Sequence, residues 1–389
     1  MLRDLADSLL AIDLSQDWRN STVVIQPIPK PGGVPNLNYP SLWYHEKENV
    51  LYSGFTGSTS SFGDSPSLPA SFSIWAFKPD GTGSGSYTEV IKGDNTSAWG
   101  NLVRPDAAAQ AYGPDNAYIV GGIQSGSSSG YLSGMVIFDM SAKSFKNNSF
   151  GGAGFMGDAI RRGPLQHVDA FGPNGMFVQM GGYDSLANNQ VEFTNVSVFD
   201  PAQQIWYTQQ TTGNPPSARQ EHCTAGASSN NGSYEMWPKP ALSKMSRRMA
   251  DDRDRFVYGG WGGYSDSNTI QFDDIHVLSL PAFRWFKANY TASHPRYAHT
   301  CEAVGGSQIL TIGGADSNAQ VQQGSSTDLE QSPFNSSVDP FKQGLAIFDM
   351  TTMQFADHYA AHPPAYEQSE PAKAYYATVP RRQVPPFPP

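Results

Sequence analysis

The stretch Phe256-Val257-Tyr258-Gly259-Gly260, followed after a polar loop by Ile275-His276-Val277-Leu278 and then Trp285, decides how the chain folds, because it recurs. It reads as an apolar strand, a Gly-Gly pair, a loop, a second apolar strand and an aromatic residue. Upstream, Tyr118-Ile119-Val120-Gly121-Gly122 leads to Val136-Ile137-Phe138-Asp139. Phe177-Val178-Gln179-Met180-Gly181-Gly182 leads to Val196-Ser197-Val198-Phe199-Asp200 and Trp206. Downstream, Leu310-Thr311-Ile312-Gly313-Gly314 leads to Ala346-Ile347-Phe348-Asp349 and Phe355. The pairs stand 60, 78 and 54 residues apart. A period of about 50 residues, lengthened by loop insertions, marks a repeated four-stranded unit. Such units arranged in a circle leave only short, protected sheet edges. The glycines let the chain leave the second strand through conformations that a side chain would obstruct. Trp206 and Trp285 read as packing between units.

Composition agrees with many short strands joined by turns: 38 glycines, 29 prolines and only 15% charged residues in 389. A net charge of −10 argues against nucleic acid, whose binding needs a Lys/Arg stripe to displace counterions. No apolar run reaches the roughly 18 residues of a membrane-spanning helix. Met1 to Leu5 does not open a signal peptide. Asn-x-Ser/Thr triplets nevertheless stand at Asn20, Asn95, Asn147, Asn195, Asn231, Asn289 and Asn335. Together they predict glycosylation and passage through the secretory pathway, with a leader removed or lying outside this sequence.

Lettering the strands a to d outward from the axis, unit one uses Leu42–Tyr44, Val50–Gly54, Phe72–Phe77 and Tyr87–Ile91. Unit two runs from Asp106–Tyr112 to about Phe145, and unit three from Gln166–Phe171 to Trp206-Tyr207. Unit four spans Glu221–Ala225 to Trp285 with an insertion near 229–253, and unit five runs from Ala298–Val304 to about Phe355. The ends supply a sixth: Leu9–Leu14 and Trp18 as strand c and the start of d, Ala374–Val379 as strand a. The expectation is an all-β, six-bladed propeller in which the last blade is closed by N- and C-terminal strands. One domain covers 1–380, and a Pro-rich tail follows over 381–389, which cannot ladder into a sheet.

Cys223 and Cys301 lie on equivalent inner strands of consecutive units. Counted from the preceding Arg219 and Arg296, they stand at offsets four and five. Successive strand side chains point to opposite faces, so the two cysteines face each other between units. A disulfide follows, worth about 4–5 kcal/mol on the chain-entropy estimate. No Cys/His spacing resembles a zinc site, and no metal or organic cofactor is expected.

Alternating strand direction brings the d-to-a and b-to-c loops to one end of the ring. All the long loops are b-to-c: 55–71, 123–134, 183–194, 261–273 and 315–344. Long loops cost little stability and carry function, so that end is the working face. Three units share an Arg followed by a His: Arg162/His167, Arg219/His222 and Arg296/His299. With Arg104, Gln166, Glu221 and Tyr297 they are delivered to the funnel mouth. Tyr39, Trp43, Phe55, Trp99, Tyr183, Trp261, Tyr264 and Phe272 can wall it. The competing reading is structural, with the Arg/His pairs tying inner strands to loops. Hydrolytic elbows, phosphate loops, His-Glu-x-x-His motifs and paired carboxylates are absent. Copper–radical chemistry would need a Cys that the disulfide removes.

The repeat, the joined termini and the glycosylation triplets resemble secreted fungal kelch-repeat proteins over nearly the whole chain. Some proteins of that kind are hetero-Diels-Alderases of tropolonic sesquiterpenoid pathways. The resemblance implies a cofactor-free pericyclase for an apolar, oxygenated substrate, joining a quinone-methide diene to a terpene alkene. Catalysis would then need donors and a reactive pose rather than a nucleophile. The candidates are His167, Arg219, Glu221, His222, Arg296 and His299. Arg104, Arg162, Gln166, Tyr183, Trp99, Trp261, Tyr264, Phe272 and Tyr297 would contact substrate. The alternative is a non-enzymatic, secreted or cell-surface interaction module that holds a protein or glycan with the same loops.

Overall fold

The computed structural model of the chain describes residues 7–59, 73–92, 104–124, 130–132, 134–148, 159–169, 174–228, 253–262, 270–290, 295–316 and 341–378. Each repeat forms one antiparallel sheet. Sheet one joins Leu42–His45, Val50–Ser53, Ser73–Pro79 and Gly85–Lys92 in that order. Sheet two joins Ala109–Tyr112, Asn116–Val120, Met135–Asp139 and Ser144–Asn148, and sheet three Leu165–Val168, Met176–Gln179, Asn195–Asp200 and Ile205–Gln210. Sheet four joins Cys223–Ser228, Arg253–Tyr258, Ile275–Leu280 and Arg284–Lys287, and Thr212–Gly213 adds a parallel fifth strand at its outer edge. Sheet five joins Thr300–Ala303, Gln308–Ile312, Leu345–Asp349 and Gln354–Ala356. The expected strands stand within about three residues of these bounds.

Middle strands read as continuous apolar runs because both of their faces are covered. Ile275–Leu280 is buried at every position, as is Met176–Gln179. The core is accordingly divided into layers between successive sheets. Trp43 and Tyr52 of sheet one pack on Phe138 of sheet two, and Tyr118 of sheet two packs on Phe177 and Phe199 of sheet three. Val178 and Phe193 meet Leu278 and Trp285, and Phe256 and Val277 meet Ile309 and Phe348.

The ends of the chain depart from expectation. Ser8–Ile12 pairs with Ile25–Pro29 in a hairpin of its own. That segment's Val23, Ile12 and Ile25 pack on Leu310, Leu345 and Ile347 of sheet five. On its other side Gly33 lies against the Trp75 ring and Gln26 against Gly83, both in sheet one. Trp18–Arg19 pairs with His358–Tyr359, and the Trp18 and Tyr359 rings stack at 5.0 Å.

The inner strand expected over 374–379 is corrected: Glu370–Thr378 is an α-helix. Its sequence is Glu-Pro-Ala-Lys-Ala-Tyr-Tyr-Ala-Thr, rich in helix formers, with the proline in the first turn where its missing N–H costs nothing. Ala372 and Tyr376 are the buried pair at i and i+4, the spacing of one helical face. The residues leading to the helix strap sheet four. Tyr366 donates to the fully buried Asp254, and Ser279 and Tyr376 share a hydrogen bond of 3.2 Å. Burial raises the Asp254 carboxyl above its ordinary range, against the pull of hydrogen bonds from Ser279 and Tyr366. The tail over 381–389 and the insertion near 229–252 lie outside the described residues.

Candidate functional site

The mouth is built from one backbone turn used five times. Just before each inner strand a residue takes positive φ: Tyr39 at 52°, Ala107 at 52°, Arg162 at 55°, Glu221 at 55° and Ala298 at 54°. The turn lets consecutive sheets lace to one another. Ala298 N–H donates to Glu221 O at 3.0 Å, Glu221 N–H to Arg162 O at 2.8 Å, and Arg162 N–H to Ala107 O at 2.7 Å. The second glycine of each pair makes a parallel set. Gly122, Gly182 and Gly260 donate to Ile160, Arg219 and Arg296 of the next sheet at 2.8, 2.9 and 2.8 Å. A side chain is excluded here: a Cβ on Gly259, at φ +68°, would lie 2.4 Å from Arg296 O and 2.8 Å from the His299 ring.

Glu221 occupies the centre of this collar. Its carboxylate is buried and receives Tyr39 Oη at 2.9 Å on Oε1 and Trp261 Nε1 at 2.9 Å on Oε2. Arg162 Nη1 sits 3.2 Å from Oε1. Three different segments therefore meet on one acid, and Tyr39 lies 182 residues away in sequence. Burial pushes the Tyr297 phenol up to about 12, reinforced by the Glu221 charge. Burial and then Glu221 raise the Tyr39 phenol further. Both phenols thus stay protonated as donors, and Tyr39 and Arg162 keep water-facing surface. Deeper along the inner strands, burial together with Glu302 and Tyr44 pushes Tyr112 up to about 12. Glu302 is exposed to water, yet the protein crowded around it raises its carboxyl too.

Four of the six candidate catalytic residues are buried in contacts of the scaffold. Arg219 is fully buried, donates to Ser217 O, Gly259 O and Asp274 Oδ1 at 3.0, 3.1 and 2.7 Å, and stacks 3.8 Å over Phe272. Burial opposes ionisation of Asp274, but hydrogen bonds from His276 and Arg219 win and hold its carboxyl far below the usual range. Arg296, also fully buried, donates to Gly313 O and stacks on Phe341. Each arginine thus ties the first glycine of its own sheet to the inner strand. His222 and His299 are buried under Gly181 and Gly259 of the preceding sheet, edge-on to Phe193 and Tyr258. Burial, with Arg296 beside it, lowers the His299 imidazole to about 3. Burial, Arg219 and His299 push His222 well below its ordinary value. Both rings are neutral.

The Arg162/His167 pair proves not to be equivalent to the other two. Arg162 occupies the Glu221 position of its sheet, and Ile160 stands where Arg219 and Arg296 stand. His167 is half-buried within Leu165–Val168, its Nε2 3.4 Å from Asn174 O and its ring against Phe177. Gln166 accepts from Thr224 Oγ1 at 3.2 Å between neighbouring inner strands. Arg104 is buried, and desolvation lowers its pKa. Tyr183 is buried, bonded to Asn188 at 2.7 Å and covered by the Arg161 guanidinium. Trp43 and Phe55 are core. The mouth therefore gathers Tyr39, Arg162, Glu221, Trp261 and Tyr297, with Asp106 near enough to act on the Tyr39 phenol. Trp99 and Tyr264 lie outside the described residues, as do Asn95, Asn231 and Asn335. Asn147 and Asn289 are exposed and Asn195 is half-buried. Asn20 is buried with its amide on Leu345 O at 2.9 Å, which leaves a glycan no room.

Cys223 and Cys301 are bonded, their Cα atoms 5.5 Å apart across the boundary of sheets four and five. The opposite facing of offsets four and five is realised.

No protein-family model matches the chain. Among curated proteins it is 25% identical, over 91% of its length, to a kelch repeat-containing protein of Arthroderma benhamiae. Sheets, spacing and this likeness support a kelch-type β-propeller. The chain spans about half the length of that relative, 52%. Among the described residues no helix is long and apolar enough to cross a membrane.

Proposed function

We propose that the chain is a non-covalent binding module whose mouth takes a polyhydroxylated ligand of the glycan class. The carrying observation is Glu221, a buried carboxylate clamped by Tyr39, Trp261 and Arg162 beside the Tyr297 phenol. Such a cluster offers fixed acceptors, fixed donors and aromatic edges at one point, which matches the alternating donors, acceptors and C–H faces of a sugar. A net charge of −10 selects against polyanions. In this reading six positions surround the axis, with the N-terminal hairpin filling the gap between sheets five and one. Its contacts with Leu310 on one side and Trp75 on the other support that closure. The disulfide supports an exported protein, since such bonds persist in oxidising compartments.

The cycloaddition reading keeps Glu221, Arg162 and Tyr297 at the mouth but loses Arg219, Arg296, His222 and His299 to the scaffold. A glycan array followed by calorimetry tests the choice. Wild type should retain a glycan, and Arg162→Ala should weaken it at least about tenfold, the loss of one charge-assisted contact, with its melting temperature unchanged. A protein that retains no glycan, or an Arg162→Ala variant that binds as wild type does, overturns the reading. Turnover of a quinone-methide precursor to a single cycloadduct would establish the cyclase instead.

A further inference from the structure

We propose that reduction of the Cys223–Cys301 bond opens a buried site for Cu(I), with His299 as the third ligand. The Sγ atoms of Cys223 and Cys301 and a ring nitrogen of His299 lie within 4.8 Å of one another. Two thiolates on one ion stand about 3.8 Å apart, from metal–sulfur distances of about 2.3 Å in near-tetrahedral geometry. Closing on an ion therefore needs side-chain shifts of about an ångström, within reach of rotamer adjustment. Cys223 and Cys301 lie on adjoining inner strands and His299 just before the second, so the scaffold that aligns the disulfide also aligns the ligands.

A second observation points to a ligand independently. His299 is buried, 7% exposed, and among the described residues its ring nitrogens meet only the Tyr258 backbone, which leaves one of them without a hydrogen-bond partner. A buried imidazole nitrogen without a partner costs free energy, and metal coordination supplies the missing contact. The Tyr258 backbone beside the ring is the group that favours its protonated form. A carbonyl in that position orients a metal-bound imidazole. The surroundings are mostly apolar: Phe256, Ile275, Ile309, Phe348 and Phe355 line a small cavity next to the sulfurs, with Tyr258 and Thr311 as its polar members and Thr311 Oγ1 3.8 Å from Cys301 Sγ. Two soft thiolates with one imidazole, and no carboxylate in the group, select a soft cation. Three ligands without a required fourth suit Cu(I).

The chemistry balances. A dithiol reductant attacks the half-buried Cys301 sulfur and is itself oxidised to a disulfide. It delivers two electrons and two protons to give the Cys223 and Cys301 thiols. Cu(I) then displaces both protons and bonds to the two thiolates and the neutral His299 nitrogen. A small-molecule disulfide that exchanges with the two thiolates takes up the two electrons, leaves as its dithiol and re-forms the Cys223–Cys301 bond, which expels Cu(I), so the bond acts as a lock on the site.

The test is competition for Cu(I) held by bicinchoninate, with the full chain reduced by a phosphine and then freed of it. Reduced wild type should take up one equivalent, and the oxidised protein none. His299→Ala should weaken uptake by at least about tenfold, since second contacts of metal sites alone are worth that much. The Cys223→Ala/Cys301→Ala double variant, whose near-ultraviolet circular dichroism reports that it folds, should take up none. Reduced, folded wild type that leaves Cu(I) with bicinchoninate overturns the proposal. So does a reduced chain that unfolds and binds copper only in that state, or a His299→Ala variant with unchanged uptake.

Discussion

Removing the disulfide gives the sharpest energetic prediction. The bond closes a loop of 78 residues that contains the four antiparallel strands of sheet four. On the chain-entropy model a loop of that length lowers the unfolded-state entropy enough to stabilise the fold by about 4.5 kcal/mol at 25 °C. The sulfurs sit in an apolar layer with Phe256, Ile275 and Phe348, so Cys223→Ala/Cys301→Ala also leaves a small void, worth about 1 kcal/mol. The expected loss is therefore about 5 kcal/mol. Urea unfolding followed by far-ultraviolet circular dichroism and by tryptophan fluorescence measures it. The midpoint should fall while both probes remain coincident. Phosphine-reduced wild type should lose slightly less than the double variant, because it keeps the sulfur volume. A loss below about 1 kcal/mol would refute the reasoning, since the loop would then be closed by other contacts in the unfolded chain.

Arg219→Ala should destabilise by about 3 kcal/mol or more, because it strands the partly buried Asp274 and exposes the Gly259 carbonyl to an apolar gap; denaturant midpoints decide it against the near-neutral Arg162→Ala. Gly259→Ala should cost about 2–4 kcal/mol by thermal melting, from a positive φ and a Cβ that meets Arg296 O. Asp254→Asn tests the buried acid under the C-terminal strap. Its pKa is raised above 3.8 in the folded chain, so the group's contribution is full below the unfolded value and is lost as pH rises through the folded one. Wild type should lose stability across that rise, and the variant should show a flatter melting profile there. An unchanged profile would mean that Asp254 does not titrate in that range.

The repeat made the five sheets readable because a strand buried on both faces writes itself as an unbroken apolar run ending where glycine must turn. The disulfide was readable for a similar reason, since strand parity is strict enough to count. Residue type alone does not separate buried scaffold from the side chains that keep water-facing surface. Arg219 and Arg296 look like donors, and only the backbone shows them bound to glycine carbonyls of their own sheets. Arg162 sits two places after Ile160 in a recurring turn, a register that no spacing from His167 reveals. Tyr39 was visible as an aromatic near the mouth, but its bond to Glu221 depends on how sheets far apart in sequence meet. The C-terminal helix was hidden because Ala and Tyr serve strands and helices alike; Pro371 after Glu370 was the signal to use.

The central claim is that the fold brings the segment before sheet one onto the acid before sheet four. A double-mutant cycle on Tyr39→Phe and Glu221→Gln, read by urea unfolding, tests it directly. A hydrogen bond to a buried carboxylate predicts a coupling of about 1–2 kcal/mol between residues 182 apart. Strict additivity of the two substitutions would contradict the account.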